Sequence, residues 1–312
     1  MINNTLGRKP EWLRIKLPSG ENYVKVRHTV ASLGLHTVCE EARCPNIGEC
    51  WGGGTATIMI MGDICTRGCR FCSVAGGRPL YLDPDEPERV AQAIKKWGLI
   101  YVVITSVCRD DLPDGGANHI AKTIKAVKMH CPETIVEPLI PDFHGDRHAI
   151  EEVAQAGPEV ISHNIETVAR LSPLIRDPRA TYEQSLRVLK TIKEIDYKIF
   201  TKSSIMLGLG ETEEEVMLTA KDLRSSGVDI LSVGQYLQPT NRKVPVKEYI
   251  MPEKFDSYRK SIEKMGFAYV VAGPFIRSSY KAGELFIKNM VYRRQQQSSS
   301  ISSDLILKKI KN

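Results

Sequence analysis

The chain has 312 residues, 42% of them hydrophobic and 26% charged, with a formal net charge of +6. That length allows one large domain or two smaller ones, with a core that needs no disulfides. The longest apolar runs, 58–61 and 99–104, fall far short of the ~20 residues of a membrane helix, and residues 1–20 carry charges and prolines but no apolar h-region, so neither a membrane nor a secreted protein is expected.

The charge is unevenly placed. Residues 281–312 hold seven basic and two acidic side chains, whereas the preceding 280 hold 36 and 35. A nearly neutral body argues against a basic nucleic-acid footprint. The Gln/Ser run at 295–300 and the Lys-rich end after it read as a disordered tail, 295–312.

Six of the eight cysteines fall between Cys39 and Cys72. Disulfide scaffolds spread cysteines through short secreted chains; packing them into one segment of a long chain points to metal or redox chemistry. They form two triplets, Cys39-x4-Cys44-x5-Cys50 and Cys65-x3-Cys69-x2-Cys72. Three thiolates are too few for a closed four-cysteine zinc site and suit a cubane cluster with one iron left open, although spacing alone leaves zinc as an alternative.

In chain order, β-branched and apolar stretches at 55–61, 99–107, 134–140, 159–165, 197–207 and 228–235 read as strands. Helical patterns lie between them at 87–97, 117–130, 148–156, 182–195 and 211–226. Six strands alternating with helices imply a parallel α/β sheet, too short for a full eight-unit barrel. Ligands of such folds gather at the C-terminal ends of the strands, where the Cys65 loop sits.

Cys65-Thr66-Arg67-Gly68-Cys69-Arg70-Phe71-Cys72 after a first buried strand resembles the radical S-adenosylmethionine (SAM) signature Cys-x3-Cys-x-aromatic-Cys. The first triplet narrows the resemblance to the lipoyl synthase family, as do the blocks Arg109–Ala117, His163–Thr167, Gly234–Thr240 and Arg277–Tyr280. Together the blocks span about residues 9–283.

The resemblance implies a partial (βα)6 TIM-type barrel (55–240) between an N-terminal extension (1–54) and a C-terminal extension (241–294). It implies a [4Fe–4S] cluster on Cys65, Cys69 and Cys72 whose open iron takes SAM, which is cleaved to a 5′-deoxyadenosyl radical. It implies an auxiliary [4Fe–4S] cluster on Cys39, Cys44, Cys50 and Ser278 as the sulfur source. The family inserts sulfur at C6 and C8 of a protein-bound octanoyl-lysine, and no acid–base residue is expected to carry that chemistry.

Gly115, Gly116, Asn164 and Glu166 match positions near SAM. Their rival readings are a turn needing positive φ and a helix cap. The run Ser204–Glu211 resembles an adenine-side element but departs from it at Ser204 and Met206. Arg176 and Arg179 read equally as carboxylate binders or solvated charge, and Cys108, Cys131, His36 and His163 as structural.

Implied partners are octanoylated lipoyl domains of 2-oxoacid dehydrogenase complexes or the glycine cleavage H protein, and an electron donor such as ferredoxin or flavodoxin. No nucleic acid and no membrane are expected, and the location is expected to be cytoplasmic. The rival classes are a two-cluster electron carrier, which needs no βα scaffold of this size, and a zinc-dependent nucleic-acid module, which the neutral body disfavours.

Overall fold

The computed structural model describes residues 9–15, 19–279 and 289–292. The tail at 295–312 and Tyr280 lie outside the described residues.

One eight-stranded sheet organises the chain: β1 (His36–Thr37), β2 (Ile58–Ile60), β3 (Tyr101–Ser106), β4 (Ile135–Leu139), β5 (Val160–Ser162), β6 (Phe200–Leu207), β7 (Ile230–Gln235) and β8 (Tyr269–Gly273). Spatial order equals chain order, and β1 and β8 stand at opposite edges, so the sheet is open. β1 runs antiparallel to β2, and every other neighbouring pair is parallel.

A first helix, α1 (Glu21–Ser32), precedes the sheet. Six more of the longer helices fill the crossovers from β2 to β8: α2 (Glu86–Trp97), α3 (Ala117–His130), α4 (Arg147–Gln155), α5 (Tyr182–Ile195), α6 (Glu213–Ser225) and α7 (Pro252–Glu263). Local chemistry sets their ends. Pro87 opens α2, whose C-terminus is closed by Gly98 at φ 65°, and Thr212 with Glu215 forms a capping box on α6.

The period-2 alternation of each strand sorts its side chains. On β3, Tyr101 and Val103 face an inner cluster with Ile135, Val160, Phe200 and Ile230, which Val291 joins from the C-terminal segment. Val102 and Ile104 point the other way, to Val90 and Ile94 of α2 and Ile120 and Ile124 of α3. The sheet also carries a buried charge. Glu137 accepts hydrogen bonds from Lys202 Nζ (2.9 and 3.0 Å), from Ser162 Oγ (2.5 Å) and from the Tyr101 hydroxyl. A carboxylate with no exposed surface is tolerable only with such partners.

The six expected strands and five expected helices are all present, within a few residues of the expected ends. The sheet, however, runs past residues 55–240 at both edges. β1 belongs to the N-terminal extension and β8 to the C-terminal one, and each pairs directly with a barrel strand.

Candidate active site

The Cys65–Cys72 loop leaves the C-terminal end of β2 and is held by residues that follow four other strands. Arg67 is its anchor. Its Nε and Nη2 donate to Asp110, after β3, at 2.7–3.2 Å, and its Nη1 and Nη2 donate to Asp142, after β4, at 2.6 and 2.8 Å. Burial pushes the Asp142 carboxyl up, but the Arg67 guanidinium more than reverses this and holds it down to about 2. Asp110 also accepts from Thr66 Oγ1 at 2.7 Å and lies 3.1 Å from Arg179.

Beyond β5, Asp177 takes the Gly68 N–H at 2.9 Å, and Arg179 Nη2 donates to the Thr66 carbonyl at 2.8 Å. On the far side, Val244 N–H donates to the Arg70 carbonyl at 3.0 Å. The motif's non-cysteine residues therefore fix the loop, and its three cysteines are half-buried.

Main-chain donors already point at those sulfurs. The Arg67 and Cys108 N–H groups each approach Cys65 Sγ at 3.4 Å, and the Asp177 N–H approaches Cys69 Sγ at 3.4 Å. The Cys108 thiol donates to Cys65 and holds that thiol down, to about 6, against burial. Burial pushes Cys69 up and Cys72 up to about 11, and the neighbouring sulfurs add to both shifts. Cys108, read from sequence as an ordinary thiol, is thus a direct neighbour of the loop. Cys131 is half-buried beside the core.

Three cysteine sulfurs nowhere lie within 4.8 Å of one another as a set among the described residues. Thiolates about 2.3 Å from a tetrahedral zinc would sit only ~3.8 Å apart. The cysteines are therefore not gathered as closely as a single tetrahedral zinc would hold them.

The first triplet is built differently. Cys39 lies on a short helix, Val38–Glu41, capped by Thr37, and Cys50 lies on a second, Ile47–Gly52, with Cys44 between them. Burial pushes Cys39 up to about 11 and raises Cys44. Asn46 Nδ2 donates to the Phe275 carbonyl at 2.7 Å, and burial lowers the Arg277 guanidinium while the charge of Cys44 raises it. The segment leading to Ser278 is thereby fastened to the loop between Cys44 and Cys50. Gly234, at the end of β7, makes room for it: a Cβ there would sit 2.1 Å from the Ile276 carbonyl oxygen. Ser278 and Ser279 are both half-buried in the turn that follows.

Gly115 and Gly116 have φ of 61° and 89°, and a Cβ on Gly116 would fall 2.4 Å from Met61 Sδ. Packing of the Arg109–Ala117 loop on β2 accounts for glycine there without any ligand. Asn164 and Glu166 follow β5. Glu166 is half-buried at φ 67°, its carboxyl raised by desolvation and lowered in turn by Arg176 and by a hydrogen bond from Asn164. Asn164 Oδ1 and Ser106 Oγ are buried without a partner. Two orphaned polar atoms at the same end of the sheet, after β3 and β5 on either side of β4, suit a polar cofactor such as SAM. Glu211 is turned to its own loop, accepting from the N–H groups of Gly208 and Leu209 at 2.5 and 2.9 Å.

Arg176 Nη1 donates to Ser185 Oγ at 2.8 Å, and Ser185 Oγ lies 2.9 Å from His163 Nε2, with Nδ1 2.9 Å from the Ile140 carbonyl. The Ile140 carbonyl takes the proton of Nδ1, and in the neutral ring Nε2 accepts from the Ser185 hydroxyl. Burial, aided by Arg176, lowers His163 to about 4. Because the folded value lies below the unfolded value of 6.5, this contribution is complete above pH 6.5 and is lost as pH falls toward 4. At about 1.4 kcal/mol per pH unit it amounts to roughly 3 kcal/mol. Urea unfolding at several pH values should show the loss, with a shallower slope in His163→Gln; equal slopes would exclude His163 as its source.

With this geometry in place, comparison with known proteins is decisive. The profile of the radical SAM superfamily matches residues 59–223, and that of the N-terminal domain of lipoyl synthase matches 2–44. Human mitochondrial lipoyl synthase is 57% identical over 92% of this chain and 79% of its own length. The rat protein is 56% identical over 94% and 80%, and that of Schizosaccharomyces pombe 54% over 95% and 81%.

The chain belongs to the lipoyl synthase family.

Solved structures share its fold at low identity. Streptococcus suis SuiB bound to S-adenosylmethionine aligns with a TM-score of 0.54 at 14% identity, over 69% of this chain and 49% of that one. The hydrogenase maturase HydG from Carboxydothermus hydrogenoformans aligns at 0.53 and 12%, over 89% and 72%. The lipoyl synthase relatives overturn one expectation: each is named mitochondrial, which points away from the cytoplasm. An apolar h-region marks secretion, whereas mitochondrial transit peptides are amphipathic and Arg-rich, so the lack of the former never bore on this choice.

Proposed function

We propose that this lipoyl synthase family member places its radical cluster on Cys65, Cys69 and Cys72, and an auxiliary [4Fe–4S] cluster on Cys39, Cys44, Cys50 and Ser278. The enzyme carries out SAM-dependent, sulfur-inserting lipoyl synthesis on lipoyl-domain proteins. When bound, the first cluster with SAM supplies the 5′-deoxyadenosyl radical that an unactivated C–H bond requires.

The chain's own residues hold the parts. Arg67, clamped by Asp110 and Asp142, keeps the loop from collapsing onto the sheet. The N–H groups of Arg67, Cys108 and Asp177 stabilise charge on sulfur. Asn164 Oδ1 and Ser106 Oγ are free to meet SAM, with Glu166 beside Asn164; Gly115 and Gly116 let the backbone of the neighbouring loop approach. The octanoyl chain enters between the two triplets. Octanoylated lipoyl domains of 2-oxoacid dehydrogenase complexes or of the glycine cleavage H protein are its sources, with ferredoxin or flavodoxin as reductant.

The observation that carries this reading is the Asn46–Phe275 hydrogen bond. It draws the first triplet and the segment bearing Ser278 together at the end of the sheet where the Cys65 loop lies. The test is direct. Anaerobic protein, reductant, SAM and an octanoylated lipoyl-domain peptide should yield 5′-deoxyadenosine and a peptide heavier by two sulfurs less two hydrogens. Deoxyadenosine with no sulfur gained would leave a radical enzyme of another kind.

A further inference from the structure

A third donor group draws on the segments of both cysteine triplets but contains no cysteine. His36 of β1, Glu41 at the end of the helix Val38–Glu41, and Asp63 in the loop after β2 bring one ligand atom each to within 4.8 Å of one another. Among the described residues it is the one such set of three His, Cys, Asp or Glu donors. All three are half-buried, and none of their side chains makes a hydrogen bond or ion pair to another described residue. Elsewhere this chain pairs the buried or half-buried carboxylates around the Cys65 loop: Asp110 and Asp142 have Arg67, and Asp177 has Arg179. Two carboxylates and an imidazole converging without a cation are the exception.

We propose that His36, Glu41 and Asp63 form a binding site for a single divalent first-row transition ion. One imidazole nitrogen and two carboxylate oxygens are borderline-to-hard donors. They suit Mn²⁺, Fe²⁺ or Zn²⁺, offer too few oxygens for Ca²⁺, and contain no sulfur for soft ions. Three protein donors leave further positions to water, as in open mononuclear sites.

The location gives the ion a task. Glu41 is two residues from Cys39 and Asp63 two residues from Cys65. An ion held here ties the N-terminal extension to the loop that starts the second triplet. It thereby helps fix the distance between the two cysteine segments, adding to the short β1–β2 pairing and to the shared core that Cys39 and Cys50 join.

Mn²⁺ is the probe, because it prefers oxygen and nitrogen to thiolate and its free form is counted by electron paramagnetic resonance. Anaerobic protein with its cysteine sites loaded with iron should bind one Mn²⁺ per chain. Nitrogen coupling on the bound ion should be present, and should vanish in His36→Ala. Glu41→Gln and Asp63→Asn keep side-chain shape, and each should weaken binding at least tenfold while iron content stays at the wild-type level. Mn²⁺ should also raise the unfolding temperature of the wild type but not of the variants. No uptake at millimolar Mn²⁺, or equal uptake by wild type and all three variants, would overturn the site. Neither readout depends on sulfur insertion, so the proposal stands or fails apart from the catalytic assignment.

Discussion

Replacing Cys65, Cys69 or Cys72 with Ala should reduce 5′-deoxyadenosine formation to background while the iron bound by the first triplet remains. Each cysteine is one of only three sulfurs on its loop, so no spare thiolate is at hand. Cys108 is the nearest candidate for rescue, since its thiol touches Cys65. It lies after β3, however, where Thr66 N–H and Oγ1 hold its carbonyl at 3.1 and 3.0 Å. Cys108→Ala should therefore be mild, removing one hydrogen bond to Cys65 and no ligand. Liquid chromatography of the SAM products, with iron counted on the same sample, checks both results. Normal deoxyadenosine from any of the three Ala variants would mean that the cluster sits elsewhere.

The second large effect separates radical formation from sulfur transfer. Replacing Cys39, Cys44 or Cys50 with Ala should leave SAM cleavage in place and abolish the lipoyl product. The helices Val38–Glu41 and Ile47–Gly52 contribute nothing to the clamp on Arg67, so the radical loop should survive their loss. Ser278→Ala should behave in the same direction, with insertion impaired and deoxyadenosine retained. Ser278→Cys should keep the auxiliary iron and slow insertion. Asn46→Ala is an independent check, because it cuts the tie to Phe275 without touching a ligand and should lower insertion more than SAM cleavage. Mass spectrometry of the lipoyl-domain peptide reads all four. Should Ser279→Ala prove inactive while Ser278→Ala is active, the ligand is the next residue; sulfur insertion at the wild-type rate in both would remove serine from the site.

Much of this protein was legible in one dimension. The six βα units follow from apolar runs alternating with amphipathic ones, since a strand buried on both faces and a helix packed on one leave different periods. Ala117–His130 and Tyr182–Ile195 begin and end where that pattern does. The two triplets were visible because cysteine clustering is compositional and needs no fold. Hidden were the partners of the charged residues. Arg67 sits inside the motif, yet its carboxylates lie 43 and 75 positions away, and nothing local distinguishes Asp110 and Asp142 from solvated acids. Only parallel stacking of β2, β3 and β4 sets the three strand ends side by side and gives that arginine its salt bridges.

The same division holds at the edges of the sheet. The run Tyr269–Gly273 is apolar enough for a strand, but an edge strand exists only where a neighbour offers free backbone groups, and β7 does so. Its pairing carries residues 274–278 to the end of the sheet where the Cys65 loop emerges, and Gly234 lets them lie close. The 229-position contact from Asn46 to Phe275 follows. Sequence by itself determined which residues are the candidates to hold iron, because that depends on side-chain chemistry and short spacing. Tertiary structure alone decided which of them meet, because loops of this length carry no local record of where their ends will pack.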